Sequence, residues 1–167
     1  MIKKNITIKK TKDITFHYTK ETMVKDLLSL IPFEKNDCVL DAGSGKNKVW
    51  YHNIPDYCWR EECEIEDGKD FFEIDTQYDW IVGNPPFHLG WLFLEHASLI
   101  CKKGIGFLGN INFLNSCLPK RLEELKSRGL YLQKIHIVED KRWFGRYYFL
   151  IFAKKENDFI SWNSKSY

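Results

Sequence analysis

The chain has 167 residues, of which 44% are hydrophobic and 29% charged, the balance of a globular domain with enough apolar material for a complete core. Its net charge of +2 is too small to imply a nucleic-acid partner by itself. No apolar run approaches the ~20 residues of a membrane span, which excludes a helical membrane protein.

Residues 2–8 alternate weakly and predict a short strand. Met23, Val24, Leu27, Leu28 and Leu30 recur at helical spacing, so a helix is expected over 20–30, with Thr19 as its cap and Pro32 as its stop. Cys38-Val39-Leu40-Asp41 reads as a buried strand running into Gly43-Ser44-Gly45. Further strands are expected at 59–65, 80–83 and 105–110, and helices at 88–101 and 119–128. The last of these has Pro near its start and Gly129 beyond its end. Residues 132–138 and 147–153 are β-rich and predict an antiparallel pair at a sheet edge. Strands that alternate with helices and end in glycines define an α/β fold with a mostly parallel sheet. Such sheets bind ligands beyond the carboxyl ends of their strands. The segments 41–47 and 83–87 therefore meet at one crevice.

Charge is unevenly spread. Lys3, Lys4, Lys9, Lys10 and Lys12 stand near the start, residues 61–79 are acidic, and Lys141-Arg142-Trp143-Phe144-Gly145-Arg146 is basic and aromatic. That layout fits a basic approach surface beside an acidic pocket, or simply solvated faces in the case of the N-terminal lysines. The five cysteines, at 38, 58, 63, 101 and 117, form no CxxC pair or zinc spacing. They read as reduced thiols of a cytoplasmic protein without a metal site. The Lys-rich N-terminus lacks the apolar stretch of a secretory signal.

Two motifs carry chemistry. Asp41-Ala42-Gly43-Ser44-Gly45 is a glycine loop directly after a strand, where a nucleotide-like cofactor can approach the backbone closely. Asn47 stands where a dinucleotide fingerprint has its third glycine, which counts against a nicotinamide-dependent oxidoreductase. Glu64, about twenty residues on, is placed to accept from ribose hydroxyls. Asp70 offers a carboxylate to an adenine amine, with Phe71 and Phe72 as candidate flanking rings, at least one of them packed in the core. The other acids, Glu61, Glu62 and Glu66, read as solvated charges. The second motif, Asn84-Pro85-Pro86-Phe87, ends a buried strand. Its prolines fix an extended loop, with an amide at one end and an aromatic face at the other. Two acceptors and a ring can grip a flat group that bears an amine.

The order of these segments resembles the S-adenosylmethionine-dependent methyltransferases that modify exocyclic amines, above all the adenine-specific DNA methyltransferases, over roughly residues 15–155. The resemblance implies a Rossmann-like class I fold, with Asp41, Gly43 and Gly45 lining the methionine end of the cofactor. It implies Glu64 at the ribose, Asp70 and Phe71 at the adenine ring, and Tyr18 or Thr19 near the methionine carboxylate, although Lys20 replaces the proline of the family's Phe-x-Thr-Pro motif. It assigns the chemistry to Asn84, Pro85, Pro86 and Phe87, with Phe87 stacked on the target base. Lys141, Arg142, Trp143 and Arg146 would contact a nucleic-acid substrate, DNA ahead of RNA.

Asp70 stands only six positions after Glu64, too few for the helix and strand the family places there, so six main strands are expected instead of seven. A single domain over 1–167, without a separate target-recognition domain, leaves recognition to the basic loop, the N-terminal lysines or a partner protein. The alternatives are an RNA adenine or guanine methyltransferase, a protein-glutamine methyltransferase, and a catalytically silent binding module of the same fold. His88 and His136 have no clear role in such a mechanism.

Overall fold

A computed structural model describes residues 19–142, 145–156 and 160–162. The strand expected at 2–8, together with Tyr18 and Trp143, lies outside the described residues.

In chain order the elements are α1 (Glu21–Leu28), β1 (Cys38–Ala42), α2 (Val49–Asn53), β2 (Trp59–Cys63), β3 (Tyr78–Gly83), α3 (Gly90–Ile100), β4 (Cys101–Asn110), α4 (Ile111–Ser116), α5 (Pro119–Ser127), β5 (Tyr131–Val138) and β6 (Tyr147–Ala153). Three 3₁₀ turns, at Ile65–Asp67, Phe71–Glu73 and Phe87–Leu89, fill the connections around the crevice. The helix α1 forms as its apolar spacing predicts, burying Val24, Leu27 and Leu28, but Lys20 stands at its N-cap and no side chain caps it. The expected Thr19 cap is absent because the Thr19 hydroxyl is engaged elsewhere, with Asn84.

The strands form one sheet in the order β2-β1-β3-β4-β6-β5. The first three pairings are parallel, while β6 runs antiparallel to both β4 and β5. This is the mixed α/β architecture expected, with six strands and the antiparallel pair at 131–138 and 147–153. β5 is the edge strand of that pair, and β6 pairs β4.

The absent strand leaves a physical trace. Between Glu64 and Asp70 the chain makes only one 3₁₀ turn, closed by Gly68 at φ 79. The sheet therefore stops at β2, whose outer residue Trp59 is 67% exposed.

Period-two alternation distributes the core over both faces of the sheet. Leu40, Ala42 and Ile81 point to a cluster completed by Phe93, Leu94 and Ala97 of α3, Phe113 of α4, and Leu122 and Leu125 of α5. Val39, Trp80 and Val82 point to the opposite face and pack with Val24 and Leu27 of α1 and Trp50 of α2. The result is a three-layer sandwich. Burying each such Leu, Val or Phe side chain contributes about 1.5–3 kcal/mol, so the rigidity of the strand ends rests on this core and not on exposed ion pairs such as Glu21–Lys25.

Because the pairings put Ala42, Cys63, Gly83 and Asn110 at one end of the sheet, and Tyr147 beside Asn110 and Val138, every loop of chemical interest leaves from the same edge.

Candidate active site

The glycine loop leaves β1 and returns over the end of β2. Gly43 and Gly45 have φ values of 73 and 64, a region that favours glycine. Both the Gly43 and the Ser44 N–H donate to the Cys63 carbonyl at 3.0 Å, which folds the loop back across the strand ends. Glu64 fastens its far side, with one carboxylate oxygen accepting from the Gly45 N–H at 2.7 Å.

Glu62 fastens the loop from below. Its carboxylate accepts from Ser44 Oγ at 3.0 Å, Lys48 Nζ at 3.0 Å and Lys69 Nζ at 2.9 Å. Burial acts to raise its pKa, but hydrogen bonds from Lys69, Lys48 and Ser44 outweigh that and hold it below the usual range. Glu62 is therefore no solvated charge, whereas Glu61 is exposed as expected while also accepting from the Tyr78 hydroxyl at 2.7 Å. Glu62 and Glu64 are two apart at the end of one strand. That spacing is the signal in the sequence that could have marked Glu62 as well.

Asp41 lies beneath the loop, fully buried. Its Oδ2 accepts from the Tyr51 N–H at 2.9 Å, while Oδ1 is buried with no hydrogen-bond partner among the described residues. Burial pushes its pKa up to about 8, opposed by the Tyr51 N–H and assisted by the nearby charges of Glu62 and Glu64. A buried carboxyl in this state can carry a proton near neutral pH.

On the same rim, Asp70 accepts from the Phe72 N–H at 2.9 Å and so shapes the turn that carries both phenylalanines. Phe71 was expected to face the adenine ring. Its side chain instead is 3% exposed and stacks on Phe93, centroids 4.7 Å apart. Phe72, 38% exposed, is the ring at the surface, edge-on to Phe93 at 5.1 Å. Apolar demand from α3 decides which of the two neighbours turns inward, and the chain alone does not show that choice.

The second half of the crevice begins at Gly83, with φ 149. A Cβ there would stand 2.8 Å from the Ala42 carbonyl oxygen and 3.3 Å from Asp41 Oδ1, so only glycine lets the loop lie this close to β1. The Asn84-Pro85-Pro86-Phe87 loop is thereby held against the Asp41 loop. Pro85 is buried, Pro86 exposed, and Asn84 and Phe87 half-buried. The Pro86 carbonyl accepts from the Leu89 N–H at 2.8 Å, opening the 3₁₀ turn before α3.

Thr19, buried at 7% exposure, accepts from Asn84 Nδ2 at 3.2 Å. The Phe87 ring leans on Tyr147, centroids 5.7 Å apart and inclined by 45°. Tyr147 opens β6, so the basic hairpin between β5 and β6 rises next to Phe87. Its charges are partly spent. Arg142 grips the buried Asp140, the shortest approach being 2.6 Å, and hydrogen bonds from that guanidinium hold the Asp140 carboxyl down at about 2. Arg146 pairs with Glu139 at 3.1 Å. Lys141 is exposed. His88 is exposed on the turn after Phe87, and His136 is exposed on the edge strand.

A cavity of about 430 Å³ opens between α1 and the end of β5, lined among others by Lys20, Met23, Asp26, Val138, Asp140 and Lys141. No residue of the glycine loop lines it, so it is separate from the crevice. Among the described residues no cluster of His, Cys, Asp and Glu could hold a metal ion, and no helix is long and apolar enough to cross a membrane.

This topology is the fold of the class I, Rossmann-like methyltransferases. Ribosomal protein L11 methylase from Lactobacillus delbrueckii subsp. bulgaricus superimposes with a TM-score of 0.61 at 14% identity, over 81% of this chain and 79% of that one. Magnesium protoporphyrin IX methyltransferase from Synechocystis PCC 6803, solved with bound S-adenosylmethionine, gives 0.59 at 11% identity, again over 81% and 79%. Precorrin-6y C5,15-methyltransferase from Geobacter metallireducens GS-15 gives 0.57 at 15% identity, over 83% and 91%. At these identities the likeness establishes the fold, and the names do not agree on one acceptor: a ribosomal protein in one case and tetrapyrroles in the other two. The sequence matches no protein-family model and no curated protein.

Proposed function

We propose that this protein transfers a methyl group from S-adenosylmethionine to the exocyclic amine of adenine in DNA. The observation that carries the reading is the juxtaposition of Asn84-Pro85-Pro86-Phe87 with the Asp41–Gly45 loop across Gly83, which has room for no side chain.

The residues of the crevice fit the cofactor. A Cβ at Gly45 would meet nothing within 4 Å, so a ligand can reach the backbone there. Asp41, whose Oδ1 has no hydrogen-bond partner among the described residues, lies buried directly beneath that backbone. Glu64 accepts from the Gly45 N–H through one oxygen and from the Glu66 N–H through the other, and each oxygen retains a lone pair for ribose hydroxyls. Asp70 is half-buried beside the exposed Phe72 ring, and the two are assigned to the adenine of the cofactor, with Phe72 taking the place of the buried Phe71. S-adenosylmethionine, when bound, supplies an electrophilic methyl group on a sulfonium.

The chain does the rest by positioning. An aromatic amine is a poor nucleophile because its lone pair is delocalised into the ring. The Asn84 amide oxygen and the Pro85 carbonyl accept its two N–H bonds, orient the nitrogen, and stabilise the positive charge that develops on it. Phe87, backed by Tyr147, stacks on the base, and its π face favours the same charge. A base within a duplex has to leave the stack to reach these groups. Lys141 and Arg146 border the hairpin where a phosphate backbone would lie, while Arg142 acts mainly to hold Asp140 and the shape of the loop.

A tritiated methyl-transfer assay on duplex DNA, single-stranded DNA, RNA and peptide, followed by nucleoside analysis, tests the proposal. Label in N6-methyladenine from DNA is the expected result. Label in RNA alone would move the substrate class, and label in glutamine would place the protein among modifiers of amides. A wild-type protein that transfers no methyl group to any of them contradicts the proposal.

A further inference from the structure

We infer that Thr19 is a positioning residue for Asn84, fixing the plane of the amide that faces the acceptor amine. The inference rests on the role of Asn84 proposed above and moves Thr19 from the cofactor to the catalytic loop.

An amide side chain presents an oxygen at one end and an NH₂ group at the other. Only the oxygen can take an N–H from the acceptor. An amide turned by about 180° would set its own N–H groups against those of the substrate, donor against donor. At the end of β3 the Asn84 Nδ2 donates to Thr19 Oγ1 at 3.2 Å, which draws the NH₂ end out of the pocket and fixes the plane of the amide. Thr19 can hold this position because it is itself held. It is buried, with 7% exposure, and it immediately precedes Lys20 and α1, a helix anchored by Val24, Leu27 and Leu28 on the sheet.

The bond also has a direct electronic effect. Donation from Nδ2 to Thr19 polarises the amide toward its oxygen, and hydrogen bonds linked in series strengthen one another. The bond from the amine to Asn84 Oδ1 is strongest when the amine nitrogen becomes cationic, so the contribution of Thr19 falls on turnover more than on substrate affinity. Sixty-five residues separate the two partners, so the pairing exists only in the folded chain.

Thr19→Val keeps the shape and removes the hydroxyl, and Thr19→Ser keeps the hydroxyl. Two readouts are needed: methyl-transfer kinetics, and the side-chain amide signals of selectively ¹⁵N-asparagine-labelled protein, assigned through Asn84→Asp. Thr19→Val is expected to lower kcat by about tenfold, leave the Kd for S-adenosylmethionine within about twofold, and move the Asn84 NH₂ pair toward free-amide positions with faster solvent exchange. Thr19→Ser is expected to restore kcat and the amide signals, and Thr19→Ala serves if the valine variant does not fold. Unchanged kcat with unmoved Asn84 amide signals in the valine or alanine variant overturns the inference, as does a loss confined to cofactor affinity. A wild-type protein without methyl-transfer activity defeats the reading of Asn84 instead, and the amide signals still report whether the Thr19 hydrogen bond exists.

Discussion

The two halves of the crevice are built from opposite materials. The half formed by β1, β2 and their loops is ionic. Glu62 binds Ser44, Lys48 and Lys69, Glu64 binds Gly45, and Asp41 lies buried beneath them. The half formed by the ends of β3 and β6 and by Thr19 is aromatic and uncharged in its own side chains, made of Asn84, two prolines, Phe87, Tyr147 and the Thr19 hydroxyl. The contrast matches the two ligands proposed. A cofactor rich in hydroxyls and charge needs many fixed acceptors and backbone donors. A flat base needs a stacking surface, and its amine needs only two well-aimed acceptors. The halves should therefore respond to substitution separately: changes on the ionic side alter cofactor affinity, and changes on the aromatic side alter transfer.

The largest expected effect is at Asn84. Asn84→Ala should reduce methyl transfer by about 10³-fold or more, since it removes an oxygen that meets developing charge. A single-turnover assay checks this, and retained turnover would remove Asn84 from the chemistry. Next is Phe87→Ala, for which a missing base–aromatic stack of about 1–3 kcal/mol corresponds to a fall of roughly 5–150-fold in kcat/KM for the nucleic acid. The comparison requires the cofactor constants to stay unchanged in the same variant. Glu64→Ala should loosen the glycine loop and raise the cofactor Kd by roughly 10–150-fold, for a hydrogen-bonded charge worth about 1.5–3 kcal/mol when removed; a calorimetric titration measures it. An equal loss in turnover at saturating cofactor would merge the two halves into one.

Asp41 gives a prediction in pH. Its folded pKa, about 8, lies above its ordinary 3.8, so between those values the folded chain keeps a proton that the unfolded chain has released. The contribution of this group to stability therefore falls as pH rises from about 4 to 8 and levels off above. Asp41→Asn should flatten this part of the profile and gain on the wild type as pH rises, as thermal melts across that range would show. The smallest effect is on the hairpin, where Lys141→Ala with Arg146→Ala should lower the salt slope of nucleic-acid binding by about one unit for each phosphate no longer neutralised.

Much of this arrangement was legible before folding, for stated reasons. The apolar spacing of α1 and the Pro and Gly at the ends of α5 are local signals, and both helices form within a residue or two of the expected ends. The missing strand was legible as simple distance, because the five residues between Glu64 and Asp70 hold no helix and strand. Helices α2 and α4, with five and six residues, are too short to show a period. The choice of Phe71 over Phe72 for the core depends on Phe93, about twenty residues away in the chain. The Arg142–Asp140 clasp that takes charge from the basic loop depends on the burial of Asp140. Thr19 shows the limit best: as a local signal it is a helix cap, and only the packing of α1 against the sheet turns its hydroxyl to Asn84.

The central claim is that one half of the crevice binds S-adenosylmethionine independently of the half that directs transfer. Calorimetric titration of S-adenosylmethionine into the wild type and Asn84→Ala, in parallel, tests it most directly. One bound cofactor per chain in both, with Kd values within a few-fold of each other, is the predicted result. A wild-type chain that binds none, or an alanine variant that loses binding altogether, would contradict it.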